Sequence, residues 1–193
     1  MGRALASIGL LALSGCVFDL PPPLEADGCE GEPVPCGSRC IEPEAACEPV
    51  DVEGEYTGQL RAEANGCMLE SWEEGSTGAV MATFTRDGDE VTIEVGGIAG
   101  LLLSFGFGGD PVFLGTLEGD RITASLRGTS QTVEGNCAWS FRAELEANAS
   151  LSGDSLEGTI RYRAVTNEHP DCPPYLAECV SRQSLSAVRA PGP

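Results

Sequence analysis

A regular alternation of apolar and polar residues is the feature that most constrains the fold of this chain. Between Cys137 and Ala147 one face carries Cys137, Trp139, Phe141, Ala143, Leu145 and Ala147, and the other carries Ser140, Arg142, Glu144 and Glu146. The segments Glu90–Val95 and Leu156–Ala164 show the same pattern. A period of two residues is typical of half-buried antiparallel strands and not of helices.

Turn residues fall between these alternating runs. Asp87-Gly88, Gly119-Asp120 and Gly153-Asp154 each separate two runs, where tight hairpins favour such dipeptides. The pattern predicts strands at 54–63, 78–86, 90–96, 99–105, 112–118, 121–128, 137–148, 156–165 and 181–188. Short connections favour an up-and-down meander, and closing a meander into a barrel removes its exposed edges. We therefore expect an all-β domain over residues 51–190, an antiparallel β-barrel of eight or nine strands, with a β-sandwich as the alternative.

Charge excludes two classes of partner. The 193 residues include 30 acidic and 11 basic side chains, which gives a formal net charge of −19. Such a chain cannot neutralise a run of phosphates, so we exclude nucleic acid as a partner. For the same reason we expect no polybasic attachment to anionic lipid.

The N-terminus has the layout of an export signal. Arg3 precedes an apolar stretch from Ala4 to Leu13, which is shorter than the roughly 20 residues that a membrane span needs. The sequence Leu13-Ser14-Gly15-Cys16 resembles the lipobox of bacterial lipoprotein precursors. The resemblance implies that residues 1–15 are a signal peptide removed before Cys16, and that Cys16 carries the lipid anchor. Val17 is not the Asp that retains such proteins at the inner membrane, which favours the outer membrane in a Gram-negative envelope.

The remaining cysteines predict disulfide bonds. Of the nine cysteines, eight remain when Cys16 is set aside, and an even number in an exported chain indicates pairing. A Pro-rich stalk over 16–28 leads to a Cys-rich segment, 29–48, that has too few apolar residues to build a core. Zinc is the less favoured interpretation of its four cysteines, because their spacing is mostly wider than in zinc modules. We expect the disulfide bonds Cys29–Cys40, Cys36–Cys47, Cys67–Cys137 and Cys172–Cys179, with Cys29–Cys36 and Cys40–Cys47 as the alternative in the first segment.

The first predicted strand carries a second resemblance. Gly54-Glu55-Tyr56 resembles the G-x-W start of lipocalin-like barrels, with Tyr56 where those barrels have Trp. The resemblance implies that an arginine near the end of the domain, Arg182 or Arg189, covers one mouth of the barrel.

The stretch Gly96–Leu114 is the most apolar part of the chain after the signal, with Asp110 as its one charge. Its many glycines and Pro111 argue against a helix. We interpret it as two buried strands joined by a flexible turn. The functional alternative is a mobile apolar lip for a lipid-like ligand or a membrane surface.

Other candidate sites have plainer interpretations. His169 is the only histidine, so a histidine-rich metal site is impossible, and no G-x-S-x-G element accompanies it. The turn Asp87–Glu90 is more consistent with a hairpin than with a calcium site. Trp139 belongs to the core face, whereas we expect Trp72, within an acidic loop, to be a loop contact.

These observations predict a protein that is not an enzyme. We expect a lipid-anchored cell-envelope lipoprotein, without a cofactor or metal, whose barrel binds a small apolar ligand or an envelope partner. The alternative is a purely structural or adhesive module with a filled barrel, because eight-stranded barrels are either filled by side chains or hold one small ligand.

Overall fold

Eight antiparallel strands close into one up-and-down barrel. The computed structural model describes residues 34–43, 45–70 and 72–192. The barrel strands are β3, β4, β5, β6, β7, β9, β10 and β11, and each pairs with the next strand in this order. The last strand, β11, pairs with β3 and so closes the barrel. The elements are β1 Val34–Cys36, β2 Arg39–Ile41, β3 Gly54–Asn65, β4 Thr77–Asp87, β5 Glu90–Gly96, α1 Gly97–Phe107, β6 Val112–Glu118, β7 Arg121–Arg127, β8 Thr132–Glu134, β9 Cys137–Ala149, β10 Ser155–Thr166, α2 Pro174–Glu178 and β11 Ser181–Arg189.

The alternation predicted the barrel strands. Eight of the nine predicted segments are strands, and each lies within two residues of its predicted bounds. Along β9 the side chains of Ala143, Leu145 and Ala147 are buried inside the barrel, whereas Glu144 and Glu146 lie on the outer wall. The expected all-β barrel is confirmed, and the structure is not a β-sandwich.

The two ends of the barrel are built differently. At one end, here called the hairpin end, tight turns at Gly88, Gly119 and Gly153 join β4 to β5, β6 to β7 and β9 to β10, and each glycine has a positive φ. At the opposite end, here called the loop end, longer segments join the strands, including α1 and α2. Local sequence therefore determines the hairpin end, whereas packing shapes the loop end.

The segment 99–105 is a helix, not the predicted strand. It lies in α1, between β5 and β6, which pair directly with each other through Ile93 and Phe113. That pairing leaves no sheet position for an intervening strand, so the backbone of the segment satisfies its hydrogen bonds within a helix. The sequence analysis was wrong here because the glycines do not prevent a helix that packs against the barrel.

The disulfide predictions were partly wrong. Cys36–Cys47 is present, as predicted, and excludes the alternative Cys29–Cys36. Cys40 is also disulfide-bonded, while its predicted partner Cys29 lies outside the described residues. The predicted bonds Cys67–Cys137 and Cys172–Cys179 are replaced by Cys67–Cys179 and Cys137–Cys172, with Cα atoms 4.6 and 4.8 Å apart.

Strand register explains the corrected pairs. Asn65 pairs with Ser181 across the seam between β3 and β11, which places Cys67 beside Cys179. The start of β9 pairs with the end of β10, which brings Cys137 close to the loop that holds Cys172. Both disulfide bonds cross-link segments of the loop end.

The Cys-rich segment packs against the hairpin end. Its β1–β2 hairpin places Ser38 next to Asp120, whose carboxylate accepts a 2.7 Å hydrogen bond from the Ser38 backbone N–H and another from the Ser38 hydroxyl. Asp120 is 4 % exposed. Val50 adds a backbone hydrogen bond to Gly119, so the chain enters the barrel from this end. The predicted signal peptide 1–15, the predicted lipid carrier Cys16 and the predicted stalk 16–28 lie outside the described residues.

Candidate functional site: the barrel interior and its cover

The barrel interior holds a small apolar cavity. Its volume is about 30 Å³, and every side chain around it is apolar or aromatic: Tyr56, Val80, Ala82, Phe84, Ile93, Val95, Phe113, Leu145, Leu156, Ile160, Leu185 and Ala187. That volume is about the share of one water molecule in the liquid, whereas drug-sized ligand pockets start near roughly 300 Å³. The interior is therefore almost filled in the structure, and a ligand requires the displacement of side chains.

Tyr56 and Phe84 close the cavity towards the hairpin end. The two rings pack edge to face with centroids 4.9 Å apart, and the Tyr56 hydroxyl donates a 2.5 Å hydrogen bond to the Gly153 carbonyl. Burial raises the pKa of Tyr56, while the neighbouring Arg189 acts in the opposite direction. The phenol is thus a satisfied, neutral part of the barrel floor.

Arg189 covers this floor from outside. Its Cζ lies 5.5 Å from the centroid of the Tyr56 ring, a cation–π geometry. The guanidinium donates to the Asp51, Glu53 and Gly153 carbonyls at 2.5, 2.7 and 3.2 Å. Of the two arginines suggested by the lipocalin-like resemblance, Arg189 occupies this mouth, whereas Arg182 is exposed near the other end of β11.

Three aromatic rings cover the loop end. The ring centroids of Phe107 and Trp72 each lie 5.7 Å from that of Tyr162, on β10. Tyr162 donates a 2.6 Å hydrogen bond to the Gln183 Oε1 atom, and burial raises the pKa of its phenol. On β10, Ile160 is the next inward side chain below Tyr162 and lines the cavity. The three rings therefore form the roof of the interior.

Trp72 has an unusual polar atom. Although it belongs to the β3–β4 loop, its half-buried ring packs against the core, whereas the equally half-buried Trp139 on β9 does not. The Trp72 Nε1 atom is buried and has no hydrogen-bond acceptor among the described residues. A buried donor without a partner costs free energy, so this N–H calls for an explanation. The sequence analysis had placed the core role on Trp139 and missed Trp72.

The outer face of α1 is an exposed apolar stripe. Ile98, Leu101, Leu102 and Phe105 are 75, 60, 67 and 84 % exposed. Their spacing puts them on one helical face. On the opposite side Leu103 packs against the core and Phe107 is 7 % exposed. The helix has no charged residue. Of the two buried strands predicted in Gly96–Leu114, only β6 is present. The segment proposed as the alternative, an apolar lip, is the helix α1.

Other candidate residues lie apart from the interior. The turn Asp87–Glu90 is a β-hairpin turn, and the described residues include no group of three or more acidic, Cys or His side chains arranged to hold a metal ion. His169 is 41 % exposed, and its Nδ1 accepts a hydrogen bond from the Asp171 backbone N–H. Glu70, Glu73 and Glu74 are exposed around Trp72.

A second hollow lies on the outer wall of the barrel and is lined in part by polar and charged side chains. It measures about 410 Å³ and is lined by residues of β6, β7, β9 and β10, including Glu144, Glu146 and Arg161. Glu146 forms ion pairs with Arg121 and with Arg161, the latter at 3.2 Å. Glu144 is likewise paired, with Arg163 at 3.4 Å, so each charged group of the hollow already has a partner and the apolar interior is the stronger candidate site.

Comparison with known proteins identifies no family. No protein-family model matches the chain, and no curated protein matches it. One solved structure, described as EF1p2_mFAP2b bound to DFHBI, is similar with a TM-score of 0.42 and 13 % identity, covering 72 % of this chain and 94 % of that chain. No helix in the described part of the chain has the length and apolar character needed to cross a membrane.

Proposed function

We propose that this chain is a non-catalytic, lipid-anchored protein of the cell envelope whose barrel binds a small apolar ligand from the loop end. The observation that carries the proposal is the interior itself: an apolar cavity, sealed at the hairpin end by Tyr56 and Arg189, and covered at the loop end by side chains from a helix and a loop. A covering helix can move without breaking the strand ladder, whereas the hairpin end cannot.

The anchor part of the proposal is supported by the sequence. The lipobox at Leu13–Cys16 provides the acceptor thiol, and Val50, just before the barrel, contacts Gly119 at the hairpin end. An upright barrel on this stalk would hold its loop end away from the anchoring membrane. Val17 favours an outer-membrane address in a Gram-negative envelope.

Native mass spectrometry tests ligand binding. Residues 17–193 are exported to an oxidising compartment, purified gently, and measured before and after denaturation without reductant. We expect additional mass that leaves on denaturation and that extracts as an apolar small molecule. An apo mass that persists after incubation with apolar probes would contradict ligand binding.

Metabolic labelling tests the anchor. The full chain is expressed in a bacterial host with an alkyne-bearing fatty acid, beside the variant Cys16→Ser. We expect label and membrane association for the natural chain and neither for the variant. Label that persists in Cys16→Ser would overturn the assignment of Cys16.

A second function is favoured by one observation, the volume of about 30 Å³. A barrel this full suits a structural or adhesive module that presents its surface to an envelope partner. Under this alternative the protein stays apo with every probe. Deletion of residues 25–48 would then abolish attachment while the barrel remains folded, as measured by circular dichroism.

A further inference from the structure

We infer that the ligand of the barrel is a neutral amphiphile with one slender apolar chain, a long-chain alcohol or ester in chemical class. Its chain enters where the Phe107 ring lies and displaces further side chains of the interior, and an oxygen of its head group accepts a hydrogen bond from Trp72 Nε1. This inference rests on the proposed function and adds the chemistry of the ligand.

The apolar wall of the barrel interior indicates that the ligand has a hydrocarbon chain. An eight-stranded barrel leaves room for packed side chains or for one small ligand, so the ligand has to be slender. The cavity wall offers no charged group. The Tyr56 and Tyr162 hydroxyls at its two ends are already bonded to Gly153 and Gln183. A hydrocarbon chain is the partner that such a wall accepts without leaving polar groups unsatisfied.

The displacement of Phe107 follows from its position. Phe107 is the last residue of α1, and its ring is buried against Tyr162 and Phe141 at centroid distances of 5.7 and 6.3 Å. Gly97, the first residue of α1, and Gly108, directly after it, have φ values of 63° and 72°, a region open to glycine at little cost. The exposed stripe of α1 gives an apolar molecule a first surface beside this cover.

The side chain of Trp72 indicates that the ligand's head group carries a hydrogen-bond acceptor. Its Nε1–H is buried without an acceptor among the residues described, and its ring contacts the same Tyr162 that Phe107 contacts. A ligand oxygen at the roof would satisfy this donor. The loop that holds Trp72, residues 66–76, carries Glu70, Glu73 and Glu74 and no basic residue. Three carboxylates disfavour an anionic head group, so the acceptor is a neutral oxygen.

Binding of three fluorescent molecules to the full mature chain tests the inference. The methyl ester of cis-parinaric acid is a neutral single chain with an acceptor, and the free acid is its anionic counterpart. Diphenylhexatriene is slender and has no acceptor. We expect the ester to bind more tightly than the acid at neutral pH.

The variant Trp72→Phe keeps a ring and removes the donor. We expect it to weaken binding of the ester about tenfold, the effect of losing one hydrogen bond of roughly 1.4 kcal/mol, and to leave diphenylhexatriene unchanged. Equal effects on both probes, or tighter binding of the acid, would overturn the neutral head group while leaving the proposed function intact.

Phe107→Ala and Phe105→Ala form the matched pair for the cover. Phe105 is exposed on the same helix. We expect Phe107→Ala to bind both probes faster and at least as tightly as the natural chain, and Phe105→Ala to keep the natural association rate. If neither the natural chain nor Phe107→Ala binds any probe, with the fold intact by circular dichroism, the proposed function itself fails.

Discussion

Arg189 connects three separate parts of the hairpin end. Its guanidinium is bonded to carbonyls before β3 and in the β9–β10 turn, lies over the Tyr56 ring, and approaches the carboxylates of Asp51 and Asp154 at 3.5 and 3.8 Å. The two carboxylates are 72 and 69 % exposed, so water screens their attraction to the guanidinium. The hydrogen bonds to backbone carbonyls are therefore its main contribution to stability.

Replacement of Arg189 should weaken the fold. We expect Arg189→Ala to lower the free energy of unfolding by about 2–3 kcal/mol, because the Asp51, Glu53 and Gly153 carbonyls lose a charged donor. Arg182→Ala, on the same strand but exposed, should stay within about 0.5 kcal/mol of the natural chain. Urea denaturation followed by circular dichroism measures both. Equal losses in the two variants would refute the role of Arg189.

The buried Tyr162 predicts a dependence of stability on alkaline pH. Burial raises its pKa above the ordinary value of 10.0, so the folded chain holds a proton that the unfolded chain releases. The unfolded state then binds fewer protons, and the free energy of unfolding falls as pH rises beyond about 10. This contribution is fully present below that pH.

Denaturation at about pH 9 and about pH 11 measures this effect. We expect the natural chain to lose more stability over the interval than Tyr162→Phe, which has no phenol to titrate. A loss of the same size in both chains would show that Tyr162 does not contribute. Tyr56, whose pKa is also raised, accounts for part of the remaining loss.

At the scale of elements, α1 shows where sequence patterns stop being informative. The run from Gly97 to Phe107 is apolar nearly throughout, so it has neither the period of a strand nor that of an amphipathic helix. Its state depends on the direct pairing of β5 with β6, which sequence does not reveal. Phe107 of the roof was missed for the same reason, whereas Trp72 was missed because an acidic loop gives no sign that its ring packs against the core.

Two glycines of α1 make a sharp comparison. A Cβ atom on Gly100 would lie 2.2 Å from the Val95 carbonyl oxygen, whereas one on Gly106 would meet nothing within 4 Å. Since Ala favours helices over Gly by about 1 kcal/mol, Gly106→Ala should raise the free energy of unfolding by up to that amount. Gly100→Ala should lower it, because the helix must shift off β5.

Thermal denaturation of the two variants distinguishes these outcomes. A higher midpoint for Gly106→Ala and a lower one for Gly100→Ala are expected. If both alanines stabilise the protein, α1 does not pack against β5 as described.

At the scale of the whole molecule, local signals predicted the architecture and failed on long-range connections. Alternation and turn dipeptides are properties of neighbouring residues, and together they were sufficient for eight strands and a closed meander. Disulfide pairing depends on which loops meet across the barrel, so Cys67 and Cys137 looked alike in sequence although different neighbours faced them. On the floor of the site, Tyr56 and Arg189 were expected from the resemblance to lipocalin-like barrels, which left Arg182 as the alternative to Arg189.

The two loop-end disulfides should contribute unequally. Cys67–Cys179 spans 112 residues and Cys137–Cys172 spans 35. By restricting the unfolded chain, the first bond should add about 5 kcal/mol to the free energy of unfolding and the second about 4 kcal/mol. Removal of the first bond should therefore cost about 1 kcal/mol more. Double Ser variants of each pair, compared by urea denaturation in the absence of reductant, measure the difference. A larger loss for Cys137–Cys172 would contradict this ranking.

The seam between β3 and β11 also has a kinetic meaning. Seven of the eight strand pairings join neighbours in sequence, whereas this one joins the two ends of the domain. Loop-closure entropy makes such a distant contact slow to form, so the meander assembles first and the barrel closes last. Closure therefore waits until β11 has been synthesised. Until then β3 has a free edge, which a chaperone or a neighbouring chain can occupy.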